Sequence, residues 1–366
     1  MKKLLFVAAL SMLVLQACNK DIIKESNTGK SIEFRSGVGT KGVQVTTSTL
    51  NSFNVTSLTE SGAAYFNDET FTRQDGDVFT SVTSYYWPAS EALHFYAYSP
   101  ADIKGDNLSI SKDKKQLTSY APDANITDQI DIVIAKASGN KENNEQNGVY
   151  LNFLHQLSQI EIKAKNENEG FVYVVKGIKI MNVSSAGDLD FSVTTTWNTA
   201  NYAKTNYSVD LSNNPVTLTA SAKSLMPAEN NNAMLIPQTT TAWDFENETT
   251  NASKGSYIAV QISIVTKDGS KVFPAGDAEY GWIAYPYGFV WEPGYKYIYT
   301  LNFTDGAGYV DPENNPGNDD DPTTPDNPYN PGDKVLGGKM TFDAVIDSWN
   351  SYWIYSDDNN WNNSGI

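Results

Sequence analysis

Residues 257–266 read Tyr-Ile-Ala-Val-Gln-Ile-Ser-Ile-Val-Thr. Ile258, Val260, Ile262 and Ile264 occupy every second position and alternate with Ala259, Gln261, Ser263 and Val265. A period of two puts the four branched side chains on one face of an extended strand, whereas a helix would scatter them around its axis. One face is then in a core and much of the other is wet, which is the habit of an antiparallel sheet. This strand anchors a core in the C-terminal half.

The same reading extends outward. Strand-like runs fall at 31–35, 52–58, 78–84, 93–98, 129–135 and 149–163, the last with a break near His155, then at 174–183, 216–218, 233–237 and 295–303. Turn residues such as Asp75-Gly76-Asp77 and Gly139-Asn140-Lys141 separate them. Aromatic residues make up 12% of the chain, and Thr, Val and Ile recur in short runs, a composition that favours strands. No window of helical length keeps apolar residues at helical spacing. The expectation is an all-β chain with an antiparallel β-sandwich over 31–165 and a second in tandem over 166–310.

The N-terminus carries an export signal. Lys2 and Lys3 precede an apolar run from Leu4 to Leu15 and a small-residue cleavage site at Gln16-Ala17-Cys18. The run is shorter than the roughly 20 residues needed to span a bilayer, so residues 1–17 read as a removable signal. Leu15-Gln16-Ala17-Cys18 resembles the lipobox of bacterial lipoproteins, which implies acylation at Cys18, the only cysteine, and acylation would also remove a thiol with no partner in an oxidising compartment. Residues 18–30 read as a polar tether. Net charge is -17 and becomes more negative once Lys2 and Lys3 leave, which argues against nucleic acid as a partner.

Two further segments organise the chain. Behind the first strand, Arg35-Ser36-Gly37-Val38-Gly39-Thr40-Lys41-Gly42 reads as a basic, glycine-rich loop, with Arg35 and Lys41 as candidate proteolytic processing points. Residues 311–333 carry six prolines, seven acidic residues and no lysine or arginine. They read as an acidic, proline-rich linker that could extend to roughly 70 Å at about 3.1 Å per residue. Beyond it, over 334–350, Met340, Phe342, Ala344 and Ile346 share one face of a strand. An isolated strand is unstable in water, so this one must pair with an open sheet edge of its own or another chain, as a candidate donor strand.

Several stretches together resemble the fimbrillin family of type V pili, the surface fibres of Bacteroidales. They are 86–88 with 95–100, Asp128-Gln129-Ile130-Asp131-Ile132-Val133-Ile134-Ala135, Leu151 to Ile160 around His155, Met234-Leu235-Ile236-Pro237-Gln238, and Trp291-Glu292-Pro293-Gly294-Tyr295. The resemblance implies two tandem transthyretin-like β-sandwiches and export as a lipidated outer-membrane precursor. It also implies cleavage after a basic residue behind the first strand, and polymerisation with other pilin subunits by donor-strand exchange. In this chain Thr40-Lys41 stands where the family usually has a Thr-Arg pair.

Other signals receive plainer readings. Tyr85, Tyr86, Trp87, Phe95, Tyr96 and Tyr98 read as core and cross-strand pairs. Tyr352, Trp353, Tyr355 and Trp361, in the aromatic and polar tail at 351–366, are the candidate contacts for a host or bacterial surface ligand. They carry the alternative reading, a retained lipoprotein that binds carbohydrate. His94 and His155 lie in apolar strand segments and read as structural. No nucleophile elbow, zinc-protease motif or phosphate loop occurs, so no enzyme and no cofactor is expected. The acidic run Asn318-Asp319-Asp320-Asp321 with Asp326 lacks the ligand order of a calcium loop and reads as spacer, leaving no metal expected.

Overall fold

The computed structural model describes residues 29–38, 48–103, 107–228, 231–246, 255–312 and 330–348. In chain order the first strands are β1 (Phe34–Val38), β2 (Ser52–Thr59), β3 (Ala64–Arg73), β4 (Val78–Ser81) and β5 (Leu93–Ser99). Next come β6 (Leu108–Ile110), β7 (Lys115–Tyr120), β8 (Val133–Gly139), β9 (Val149–His155), β10 (Ser158–Lys165) and β11 (Phe171–Ser184). Short strands follow as β12 (Gly187–Asp190), β13 (Thr196–Asn198), β14 (Lys204–Asp210), β15 (Val216–Thr217), β16 (Lys223–Ser224) and β17 (Ala233–Leu235). The rest are β18 (Tyr257–Thr266), β19 (Lys271–Phe273), β20 (Gly281–Pro286), β21 (Tyr295–Asn302), β22 (Tyr309–Val310) and β23 (Thr341–Ser348). The all-β expectation holds: among the described residues the one α-helix is the four-residue turn Lys141–Asn144.

In the N-terminal half the strands close on themselves in the order β1-β4-β3-β2-β5-β8-β9. Seven is an odd number, so a ring of otherwise antiparallel neighbours must contain a parallel pair. That pair is β1 with β9, from Phe34 opposite Val149 to Val38 opposite Phe153. Phenylalanine fills the interior. The Phe34 ring lies 4.7 Å from Phe71 and 5.0 Å from Phe95, both edge to face, and Phe53 lies 4.7 Å from Phe79 and 5.0 Å from Phe153. Edge-to-face pairs of this kind add about 0.5–1.5 kcal/mol each to the stabilisation from burial.

The C-terminal half pairs two sheets over one core. One runs β14-β11-β18-β20-β22 and the other β16-β10-β21-β23. Ile258, Val260, Ile262 and Ile264 of β18 all point inward and are buried, as their spacing required. Strand β10 contributes Ile160, Ile162 and Ala164 to this core, although it follows β9 of the barrel after a break at Gln156-Leu157. A small sheet, β13-β12-β7-β6, covers the outer face of β5 and β8 through Leu117, Leu189 and Phe191 packed on Tyr98 and Ile134.

His155 ends β9 at this junction, and its Nδ1 lies 2.8 Å from Asp131 Oδ2 with both side chains fully buried. Burying a carboxylate is costly unless a partner answers it, and Asp131 Oδ1 already has no hydrogen-bond partner among the described residues. Substituting His155→Ala removes the partner of Oδ2 and should cost about 3–5 kcal/mol, read as a fall in the denaturant midpoint. An unchanged midpoint would show that the pair contributes nothing.

Candidate functional site

Strand β1 sits in a slot. On one side it pairs with β9 over five residues, and on the other with β4, Phe34 opposite Phe79 and Arg35 opposite Val78. The flanking backbone extends the grip, with Ile32 N–H donating to Tyr85 O at 2.6 Å and Val149 N–H to Glu33 O at 3.0 Å. Alternation sends Ile32, Phe34 and Ser36 inward, all at most 2% exposed. Ser36 is the poor fit among them, because its hydroxyl is buried with no hydrogen-bond partner among the described residues.

Arg35 faces outward. Its Nε donates to Asn147 O at 2.9 Å, and its Nη1 lies 2.8 Å from Asp77 Oδ1. Both charged side chains are at least a third exposed, so the ion pair contributes no more than about 1 kcal/mol. The expected basic loop therefore begins later than its glycines suggested: residues 34–38 are strand, and Arg35 is held between the loops that precede β9 and β4. Lys41 and Cys18 lie outside the described residues, as do Tyr352, Trp353, Tyr355 and Trp361.

At the other end of the chain β23 pairs antiparallel with β21, from Thr341 opposite Asn302 to Ser348 opposite Tyr295, and forms the edge of its sheet. The C-terminal strand thus lies on its own chain. Its expected apolar face divides in two. Met340 is buried at 7% exposure, and Phe342 packs against Tyr287, Tyr285 and Tyr299 at 4.3, 5.2 and 5.2 Å between ring centroids. Ala344 and Ile346 are exposed, Ile346 at 58%. The seat is secured upstream, where Val335 is fully buried and Ala307 N–H donates to Val335 O at 3.1 Å. Gly306 allows this approach, since a Cβ there would stand 2.6 Å from Lys339 O and 2.8 Å from Leu336 O.

The acidic segment does not carry β23 away from the body. Val310 N–H donates to Asp333 O and Gly332 N–H donates back to Val310 O, both at 2.9 Å, so the two ends of 311–333 meet. Asp311 is fully buried beside Tyr257, whose hydroxyl donates to it at 3.1 Å. The expected span of roughly 70 Å is replaced by an excursion that leaves and returns at one place. Residues 313–329, including Asn318 to Asp321 and Asp326, lie outside the described residues.

The remaining candidates are structural. His94 Nδ1 lies 2.7 Å from Ser138 Oγ, and Trp87 packs edge to face on Phe95 at 5.8 Å. Trp87, Phe95 and Tyr98 are buried, while Tyr85, Tyr86 and Tyr96 are partly exposed. Among the described residues no group of three or more acidic, histidine or cysteine side chains could hold a metal ion.

Comparison with known proteins separates a sequence match from distant likenesses of shape. No curated protein matches the chain. A structure described as a cell adhesion protein from Bacteroides ovatus has a TM-score of 0.46 at 14% identity, covering 89% of this chain and 100% of that one. One described in the same words from Parabacteroides distasonis has 0.47 at 12% identity, covering 87% and 99%. A fimbrial assembly protein from Parabacteroides distasonis has 0.38 at 10% identity, covering 75% and 92%. The assignment rests on sequence instead, for a fimbrillin-like family model matches residues 40–316. That match spans well over half of the chain, and the chain belongs to the fimbrillin-like family.

Proposed function

We propose that the chain is a non-enzymatic structural subunit of a cell-surface pilus that mediates adhesion, assembled when β23 of one copy takes the place of β1 in another. In this reading the precursor reaches the outer membrane as a lipoprotein acylated at Cys18 and is later cut behind β1. Lys41 is the better processing point. Arg35 lies within a strand bonded on both sides, and a protease needs a chain it can draw into its cleft.

The observation that carries the proposal is a match of side-chain sizes. Inward from β1 the slot takes Ile32, Phe34 and Ser36, which is large, phenyl, small. Met340, Phe342 and Ala344 present the same order at the same spacing in the same chain direction. At the third position the newcomer is the better occupant, because Ala344 would place a methyl where Ser36 now buries an unpaired hydroxyl. Relief of such a group is worth about 1–3 kcal/mol, a push toward exchange. On its own sheet β23 uses only part of its apolar face, and Ile346 stands 58% exposed there.

Two measurements test this. Deleting residues 341–366, which leaves Val335 and Met340 in the core, should abolish polymer ladders of the processed protein on native gels; ladders that persist would remove β23 from assembly. Substituting Ser36→Ala should stabilise the unprocessed chain by about 1 kcal/mol, read as a higher denaturant midpoint, and slow its polymerisation. A destabilised Ser36→Ala chain would mean that the hydroxyl is not a burden in the slot.

A further inference from the structure

Side-chain size admits a strand to the slot, and charge on the outer rim ranks the strands admitted. Arg35, the outward side chain that follows Phe34, lies against two oxygens. Asp77 Oδ1, in the turn before β4, is 2.8 Å from its Nη1, and the Asn147 carbonyl, just before β9, accepts from its Nε at 2.9 Å. Both oxygens belong to the walls of the slot and not to the strand, so they stay behind when β1 leaves. The rim then offers a carboxylate and a carbonyl at one position, and both are acceptors that a cationic donor answers best.

The chain's own β23 brings no cation to that position. With Met340 in place of Ile32, Phe342 in place of Phe34 and Ala344 in place of Ser36, Asp343 falls where Arg35 was. An attraction across the rim becomes a repulsion between Asp343 and Asp77. In its present seat the same residue is well placed. Asp343 stands opposite Thr300 of β21, which in turn stands opposite Lys163 of β10. Glu167, bonded to Lys165 at 2.6 Å, holds that ammonium above its ordinary pKa, and the Asp343 carboxylate acts in the same direction. Asp347 lies opposite Lys296. The outer face of β23 is charged to match its own sheet and to mismatch the slot. Like-charge contacts of this kind let an interface reject a partner that fits by shape.

We infer that Asp77 is a specificity-determining residue of the slot, and that the preferred occupant is a strand with Lys or Arg directly after its inward phenyl ring, donated by a subunit of another kind. This selectivity presupposes that a donated strand replaces β1, the reading proposed above. Arg35 and Asp77 are both at least a third exposed, so the discrimination is modest. One attraction lost and one repulsion gained amount to about tenfold in affinity at low salt, and less as salt screens the pair.

Two peptides test the role of Asp77. The full chain, nicked after Lys41, is incubated with the peptide of residues 339–350 or with the same peptide carrying Asp343→Arg, and mass spectrometry measures release of the β1 fragment. At low salt the Asp343→Arg peptide should reach half-release at about one tenth of the concentration, and at high salt the gap should narrow to about threefold or less. Asp77 is half exposed, so Asp77→Asn leaves the core untouched; on that chain the two peptides should differ by about threefold or less even at low salt. Equal potency on the unmutated chain overturns the selectivity and leaves strand replacement standing. A preference that survives Asp77→Asn overturns it too. Release by neither peptide removes strand replacement and the selectivity with it.

Discussion

Five residues, 34–38, close the N-terminal barrel, through backbone hydrogen bonds to β4 and β9 and through the Phe34 ring in the core. Remove them and β4 and β9 become two facing edges, with Phe53, Phe71, Phe95 and Phe153 open to water along the gap. An edge of that kind must be covered, because unpaired amides and carbonyls beside an apolar interior recruit any strand that fits. Closure in turn imposes the parallel pairing of β1 with β9, since an odd ring cannot alternate throughout. Nothing in that geometry requires the occupant to belong to the same chain. The slot specifies a strand of given direction and side-chain sizes, and β1 supplies it with one flaw at Ser36.

The C-terminal end mirrors this arrangement. Strand β23 pairs along its whole length with β21, but of its apolar side chains only Phe342 packs inward, next to Met340 just ahead of the strand, while Ala344, Val345 and Ile346 are exposed. Its anchor lies upstream in Val335 and in the close packing of residues 336–339 over Gly306. Since the ends of 311–333 are bonded together, the reach of β23 is governed by whether that anchor holds and not by the length of the acidic segment alone. A strand seated weakly at its tip and firmly at its root suits release from the tip inward, in the same way that local opening starts where few apolar contacts hold the backbone.

Much of this was legible in the residues. The alternation in 257–266 located the central strand of the second core, whereas the boundary expected at 165/166 assigned 158–165 to the N-terminal sandwich, and β10 instead packs Ile160, Ile162 and Ala164 into the second core beside β21. Sites with long-range causes were not legible. Residues 64–73, which become β3, were not among the strand-like runs, and only the partners Asn54, Thr56 and Tyr98 make the polar bulge at Asn67 and Asp68 worth keeping in a sheet. The strands β12 and β13 are short and polar, and their reason to exist is Leu117 of β7, which Leu189 faces across the sheet. Glycines made 35–42 look like a loop from its first residue, whereas the partner that keeps 35–38 extended is β9, far along the chain. Likewise no local feature of 311–333 reveals that Val310 and Asp333 are bonded.

Strand replacement tests the account most directly. The purified chain is nicked after Lys41 and incubated with a synthetic peptide of residues 339–350, while mass spectrometry follows the fragment that contains β1 and hydrogen exchange follows Val149 to Phe153. The account predicts that the β1 fragment leaves in step with peptide uptake and that the β9 amides stay protected throughout. A fragment that remains bound, or one that leaves while β9 loses protection and the peptide stays free, would contradict it.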